Sequence, residues 1–331
     1  LGFLALEDGS LRDSVWKILK EKALSEAFPE QGHALVTAAT VGGEESLPVI
    51  REYLSGEGDG KARFAVRALA LVNSPDSVPL LESLLQTNED PEMRRLCFDV
   101  LARIDTPETV SLLEAHAAAS SGAEQAASVA ALSRLDRPET NRMLADLVRR
   151  GLLDDPARQA LAVSPASPEI YGDLLSGGDL RLPQKVDLLK EIRSTSLYAP
   201  GETRSDMVSV LVPFLDHPDA AVQMEALKAV SQLGGGEEYT ADLLLPKLKS
   251  ANPEVRQTAL ASFLGYANPW NYKEVSDLIF DSDEQTRRMA LFAFERFVNQ
   301  SDVEVLERAA DSEDEFISER ARMILEQLNP A

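Results

Sequence analysis

The sequence predicts an all-α fold: an α-solenoid, a right-handed superhelix of about ten stacked helical hairpins. Three observations predict it. A short turn pattern recurs at near-constant spacing along the chain. Apolar residues between the turns fall three and four apart. No stretch alternates polar and apolar residues with period two over a useful length, so strands are not expected.

The turn pattern is a Pro or Gly, then an acidic or polar pair, then an apolar helix. It reads Asp8-Gly9-Ser10-Leu11, Gly43-Glu44-Glu45, Pro75-Asp76-Ser77-Val78, Pro107-Glu108-Thr109-Val110 and Pro138-Glu139-Thr140. It continues as Pro168-Glu169-Ile170, Pro200-Gly201-Glu202, Gly235-Gly236-Glu237-Glu238, Pro269-Trp270-Asn271 and Ser301-Asp302-Val303. Anchors at 9, 43, 75, 107, 138, 168, 200, 235, 269 and 301 lie 30 to 35 residues apart. Internal periodicity of this length marks stacked supersecondary units and outranks any domain count from length. The chain is therefore read as a single solenoid over 1–331.

Each unit has room for two helices. Between Pro269 and Gln300 the first helix is expected over Tyr272 to Phe280, with Val275, Leu278 and Ile279 on one face. The turn Asp281-Ser282-Asp283-Glu284 follows, and Asp or Ser there can cap a second helix over Gln285 to Val298. Pro at the anchor is tolerated at a helix start, where its missing N–H costs nothing. Small residues such as Ala65, Ala68 and Ala70, or Ala126, Ala127, Ala130 and Ala131, let second helices approach closely. A hairpin of this size cannot bury both faces alone, so neighbours must stack. Pro165, Pro168, Gly177-Gly178 and Pro183 weaken the pattern, and a joint is expected over 163–183. Gly56 to Gly60 and Gly234 to Gly236 read as flexible turns, because neither has the glycine spacing or lysine of a phosphate loop.

The turn inside each hairpin carries a second pattern. It reads Asp90-Pro91-Glu92-Met93-Arg94, Asp155-Pro156-Ala157-Arg158 and Asn252-Pro253-Glu254-Val255-Arg256, with looser copies at His217-Pro218-Asp219, Asp283-Glu284-Gln285-Thr286-Arg287 and Phe28-Pro29-Glu30-Gln31. This resembles the HEAT-repeat family, including the HEAT-like repeats of phycobilin lyases. The stretch Val255-Arg256-Gln257-Thr258-Ala259-Leu260 fits its motif closely. The resemblance implies convex first helices, concave second helices and, for most members, a binding scaffold.

Composition excludes several functions. The 331 residues hold 33 Lys plus Arg against 55 Asp plus Glu, a net charge of −22, with 44% hydrophobic residues. A large core is available, while a general nucleic-acid surface, which needs surplus cations to displace phosphate counterions, is not expected. Docking on anionic lipid is disfavoured likewise. No run reaches the roughly 18–20 apolar residues of a membrane span. One cysteine, Cys97, excludes an intrachain disulfide and a cysteine-based zinc site. His33, His116 and His217 fall in no nucleophile or metal motif, and the acidic runs near 281 and 311 lack a calcium-loop pattern. No catalytic residue, metal or cofactor is expected, and Cys97 reads as a small buried residue. One cysteine suits cytoplasm slightly better than periplasm. The apolar start, Leu1 to Leu6, lacks the basic flank of a signal peptide, and Leu4 to Gly9 aligns with the end of a second helix. With Gln327 to Pro330 resembling a further anchor, the chain is expected to be a section of a longer one.

Two sets of residues are candidates for surface roles. Arg63, Arg94, Arg158, Arg256, Arg287 and Arg320 start second helices and are expected to form a ladder, either pairing with turn carboxylates of neighbouring repeats or lining the groove. Nine of the 19 aromatics fall between 263 and 316. Among these, Tyr266, Trp270, Tyr272 and Phe292, with Arg288, form the candidate docking patch, since binding hot spots favour Trp, Tyr and Arg. The expected function is a non-enzymatic scaffold for a protein or peptide partner, held on the concave face. A lyase-like or enzyme-regulatory module is the second reading. A nucleic-acid module comes third, because it needs a basic groove.

Overall fold

The computed structural model describes residues 9–25, 30–56, 60–234 and 236–328. The apolar start, the turn copy at 28–31, the glycine turns at 56–60 and 234–236 and the further anchor at 327–330 lie wholly or partly outside these residues. Every regular element among the described residues is helical. The chain divides into two compact units, 1–166 and 167–331, and the division falls within 163–183.

Unit 1 holds five hairpins. Their first helices are α1 (Gly9–Leu24), α3 (Leu47–Ser55), α5 (Val78–Thr87), α7 (Pro107–Ala119) and α9 (Pro138–Arg149). Their second helices are α2 (Gln31–Gly42), α4 (Lys61–Val72), α6 (Pro91–Ile104), α8 (Gly122–Ser133) and α10 (Asp155–Ala162). Each second helix packs on the next, α2 on α4, α4 on α6, α6 on α8 and α8 on α10. Small side chains permit this: Ala38, Ala65, Ala68, Ala131 and Ala157 are wholly buried. The approach is close enough that a Cβ added to Gly32 would meet the Phe64 ring at 2.3 Å.

Unit 2 repeats the plan. Its first helices are α11 (Ser167–Ser176), α13 (Gly201–Leu211), α15 (Glu237–Leu244), a 3₁₀ helix (Tyr272–Phe280) and α18 (Val303–Ala310). Its second helices are α12 (Leu182–Thr195), α14 (Ala220–Leu233), α16 (Pro253–Phe263), α17 (Glu284–Glu295) and α19 (Glu315–Leu328). Second helices again pack in sequence from α12 to α19. The segment at Tyr272–Phe280 has the expected bounds but is a 3₁₀ helix. Tyr272, Val275 and Leu278 are its buried side chains together with Ile279. Their spacing of three matches the eclipsed i, i+3 face of a 3₁₀ helix. Two more first helices, α13 and α15, finish in 3₁₀ turns, Val212–Asp216 and Leu245–Lys249, each with Pro as its second residue. Helix α17 ends at Glu295, three residues short of the expected Val298, and Phe297 is half-buried.

The two turn patterns have distinct physical jobs. Between hairpins, Asn73, Asp105 and Asp136 take the left-handed conformation that ends a helix, which Asn and Asp tolerate best after glycine. Each is followed two residues later by the Pro that opens the next first helix or its 3₁₀ lead-in. Just inside that helix a hydroxyl is buried: Ser77, Thr109, Thr140, Thr203 and Thr240 recur there. Thr109 shows why, since its Oγ1 donates to the Thr106 carbonyl at 3.0 Å and accepts the Thr106 N–H at 2.9 Å. Within hairpins, Asp90, Asp154, Asp219, Asn252 and Asp283 each cap a second helix through the side-chain oxygen. No described helix is long and apolar enough to cross a membrane.

Candidate functional site

In seven of the ten hairpins the residue four places after the second-helix cap is a long polar one, the first recurrent functional position. It points along the hairpin turn and closes it. Arg94 donates to the Leu85 and Asn88 carbonyls, Arg158 to Leu153 (2.8 Å), Arg256 to Ser250 (2.8 Å) and Arg287 to Asp281 (3.0 Å). These carbonyls lie in the last turn of first helices or in the turn beyond, and the guanidinium supplies a donor there. Arg94, Arg256 and Arg287 also reach the next repeat. Arg256 grips Asp281 with Nε and Nη2 at 2.8 and 2.6 Å. Arg287 binds Asp314 at 3.0 and 2.6 Å, and Arg94 meets Glu124 at 2.6 Å. Each of these residues is a two-armed staple, one arm on its own turn and one on its neighbour.

Arg63 and Arg320 fall outside this register. Arg63 is three places past its cap, Gly60, and makes an exposed pair with Glu92 at 2.7 Å. Arg320 reaches backward to Glu295 with Nε and Nη2 at 3.0 and 2.6 Å. Glutamine and lysine occupy the staple position elsewhere. Gln125 donates to the Ala117 and Leu152 carbonyls at 2.8 and 2.9 Å and accepts the Asp154 N–H at 2.9 Å. Gln223 donates to Leu215, and Lys185 to Leu175. A search for arginine passes over these residues. Their common offset from the capping residue is the signal that finds them.

The five aromatic-patch candidates do not form one patch. Tyr272 is 1% exposed, so it is withdrawn from any docking surface. Its hydroxyl donates to Asp302 at 2.6 Å and accepts from Asn299 at 2.8 Å, and its ring packs on Phe294 and Phe297. Burial, and then the Asp302 carboxylate, push its pKa up to about 12. Tyr266 is half-buried and its hydroxyl donates to the Ser231 carbonyl of the preceding repeat. Trp270 is 92% exposed on the loop between hairpins. That loop is tightly built: Asn268 Oδ1 accepts the N–H groups of Trp270 and Asn271, and Asn271 Oδ1 accepts that of Asn268. Phe292 and Arg288 lie on α17. Phe292 is 51% exposed and meets Phe316 at 5.8 Å between ring centroids. Arg288 covers the other aromatic, its guanidinium carbon 4.9 Å from the Phe316 centroid, and pairs with Glu284 at 2.6 Å.

A groove runs across the second-helix face of unit 2, with an empty volume of about 800 Å³. Four successive second helices line it, through Arg193 of α12, Lys228 and Gln232 of α14, Thr258, Ala261 and Ser262 of α16, and Gln285 and Met289 of α17. Counting nine residues from Asp219, Asn252, Asp283 and Asp314 gives Lys228, Ala261, Phe292 and Met323, one register on four helices. The row passes from a cation through a small residue to two exposed apolar ones. The cation at its start is partly neutralised, since Glu225 meets Lys228 at 2.8 Å and Arg193 at 3.7 Å.

Several carboxylates are held below their ordinary pKa. For Asp314 the main cause is the hydrogen bond from Arg287. For Glu124 burial acts upward, but hydrogen bonds from Arg94 and His116 outweigh it. Asp302 is similar, its burial outweighed by Tyr272, Asn299 and Lys273. Burial pushes the Cys97 thiol up to about 12, which removes it as a nucleophile at neutral pH. His116 bonds Glu124 at 2.7 Å, and His217 accepts the Asp219 N–H at 3.1 Å inside a turn. Among the described residues no group of three or more His, Cys, Asp or Glu is placed to hold a metal ion.

The fold and these surfaces define a repeat protein of helical hairpins whose recurrent polar side chains join one hairpin to the next. The family model described as HEAT repeats matches residues 48–133, which span the hairpins from α3 to α8. No curated protein matches the sequence. Similar solved structures include human deoxyhypusine hydroxylase in complex with glycerol, at 17% identity and a TM-score of 0.34, covering 87% of this chain and 98% of that one. Kap121p bound to Nup53p aligns at 16% identity with a TM-score of 0.38, over 94% of this chain and 41% of that one. A microtubule polymerase structure with TOG-domain arrays aligns at 12% identity with a TM-score of 0.36, over 94% and 86% of the two chains.

Proposed function

We propose that the protein is a binding scaffold that acts by holding an extended protein or peptide segment on the second-helix face of unit 2, without chemistry of its own. The observation that carries this reading is the side-chain row Ala261–Phe292–Met323 at the end of a polar groove. Replacing a ring by a methyl group at Ala261 leaves room beside the half-exposed Phe292, and exposed apolar surface beside polar rims marks interaction sites. Gln232, Thr258, Ser262 and Gln285 offer amide and hydroxyl groups to a peptide backbone, which must exchange its water for partners when it docks. The acidic net charge of −22 disfavours a nucleic acid as the ligand.

The test is site-directed photo-crosslinking. A photoreactive residue at Ala261 should capture a protein partner from the native host. The Phe292→Ala variant should lose most of that capture while melting at the unaltered temperature. Equal capture from Ala261 and from a control site on α9, or capture indifferent to Phe292→Ala, would sink the reading.

A further inference from the structure

The opposite side of unit 2 carries a feature that the groove leaves unused. Three of the five first helices there end in, or consist of, 3₁₀ segments. A 3₁₀ helix is thinner than an α-helix and stacks its side chains in three rows, so adjoining 3₁₀ segments fill the seam between repeats poorly. Between Leu245–Lys249 and Tyr272–Phe280 the seam opens into a hollow with an empty volume of about 810 Å³. Its floor is apolar, Leu245, Pro246, Leu248 and Leu278, and its wall carries Glu274 and Asp277.

Aromatic rings stand at the start of the same two first helices. Tyr239 is 46% exposed on α15, and Trp270 stands nearly free on its Asn-clamped loop. Tyr198 is 70% exposed at the preceding junction between hairpins. The corresponding described junctions of unit 1 expose no large aromatic. Charge completes the pattern. Glu238, Asp242, Glu274 and Asp277 are exposed along these two first helices, and Lys249 is the one cation in the hollow's lining. Lys273 is already engaged by Asp302 at 3.1 Å and Ser301 at 2.9 Å. A Trp fixed in water by its own loop, four residues before Glu274 in the wall of an apolar hollow, matches one side-chain chemistry. A guanidinium stacks on an indole face and donates to carboxylates at its edge. Its aliphatic stem covers apolar surface.

We propose that this first-helix seam, between α15 with its 3₁₀ extension and the 3₁₀ helix at Tyr272–Phe280, docks an arginine-bearing extended segment of a partner protein. One arginine stacks on Trp270, and a second enters the hollow with its head on Glu274 and Asp277. From Tyr239 to Leu248 is nine residues, about 15 Å at helical rises, which an extended chain crosses in about five residues. The site is separate from the second-helix groove and does not depend on it.

Fluorescence anisotropy on the whole protein tests the proposal. The probes are labelled nine-residue peptides, each a threefold repeat of Arg-Leu-Gly, Lys-Leu-Gly or Glu-Leu-Gly. The Arg peptide should bind best, and less well as salt rises. Trp270→Ala should weaken it about fivefold, in keeping with a lost cation–π contact. Glu274→Gln with Asp277→Asn should weaken it about tenfold and flatten the salt dependence. Phe292→Ala should leave it unchanged. Binding of the Glu peptide as strong as that of the Arg peptide overturns the proposal. So does affinity lost with Phe292→Ala but kept with Trp270→Ala, or no binding of the Arg peptide at low salt. Matching thermal melts exclude unfolding as the cause.

Discussion

Units 1 and 2 each contain five hairpins on one plan, yet they spend their aromatic and charged residues differently. Among the described residues of unit 1 the exposed large hydrophobics are aliphatic, Leu11, Ile18, Leu71 and Leu152. In unit 2 they include Tyr198, Tyr239, Trp270 and Phe292. The ion pairs differ in the same sense. Arg63 and Glu92 of unit 1 meet in solvent, whereas Arg256 and Asp281 of unit 2 meet almost wholly buried. A solenoid needs only that each hairpin fit its neighbours. The difference shows that fit and recognition can be set independently, repeat by repeat.

The buried pair offers the hardest test of that contrast. Arg256→Ala strips Asp281 of its partner and two carbonyls of their donor, and should cost about 3–5 kcal/mol. Arg63→Ala should cost less than about 1 kcal/mol, as exposed pairs do. Equal shifts of the two variants in denaturant melts would break the contrast. Tyr272→Phe should cost about 1–3 kcal/mol, because Asp302 and Asn299 then lose a buried partner. A neutral Tyr272→Phe would mean that the ring alone sets that corner.

Acid should separate the staples further. The folded pKa of Asp314 lies below its unfolded value, chiefly through the Arg287 hydrogen bond. Its contribution is therefore complete above the ordinary aspartate range, near pH 4, and is lost as pH falls through the lower folded value. Arg287→Gln should raise that folded value toward the ordinary one and make the acid limb of the stability curve shallower. An acid limb as steep as before would remove Arg287 from the account. The smallest effects on stability belong to the exposed aromatics of the two proposed docking sites. Phe292→Ala and Trp270→Ala should each stay within about 0.5 kcal/mol in the same melts.

The hairpin plan was legible because it rests on local chemistry. Pro at a helix start, Asp at a cap and apolar spacing of three and four are each visible in one short window. Arg94, Arg158, Arg256 and Arg287 were legible for the same reason, since each stands at a fixed offset from its cap. Arg63 and Arg320 look alike in sequence, but one and two residues of offset give them other partners. The patch was not legible. Tyr272 and Trp270 are two residues apart, and one is buried while the other stands in water. That outcome depends on the 3₁₀ spacing of the buried face and on Asp302 thirty residues onward, neither of which a local window contains. The hollow beside Glu274 was equally hidden, because it arises from poor filling between two helices rather than from any motif.

Gln223 carries a consequence of the staple geometry. It keeps the arm to its own turn, through the Leu215 carbonyl, where Arg256 and Arg287 add an arm to the neighbour. In a stack that interacts only between nearest neighbours, cooperativity is the product of its junctions. The junction from α14 to α16 is crossed by the Lys247–Asp216 pair but lacks the two-armed arginine that the two following junctions possess. Amide hydrogen exchange should therefore show one block of shared opening rates from α16 through α19, with a step between α14 and α16. The boundary of a unit that unfolds together would then be written by a single glutamine.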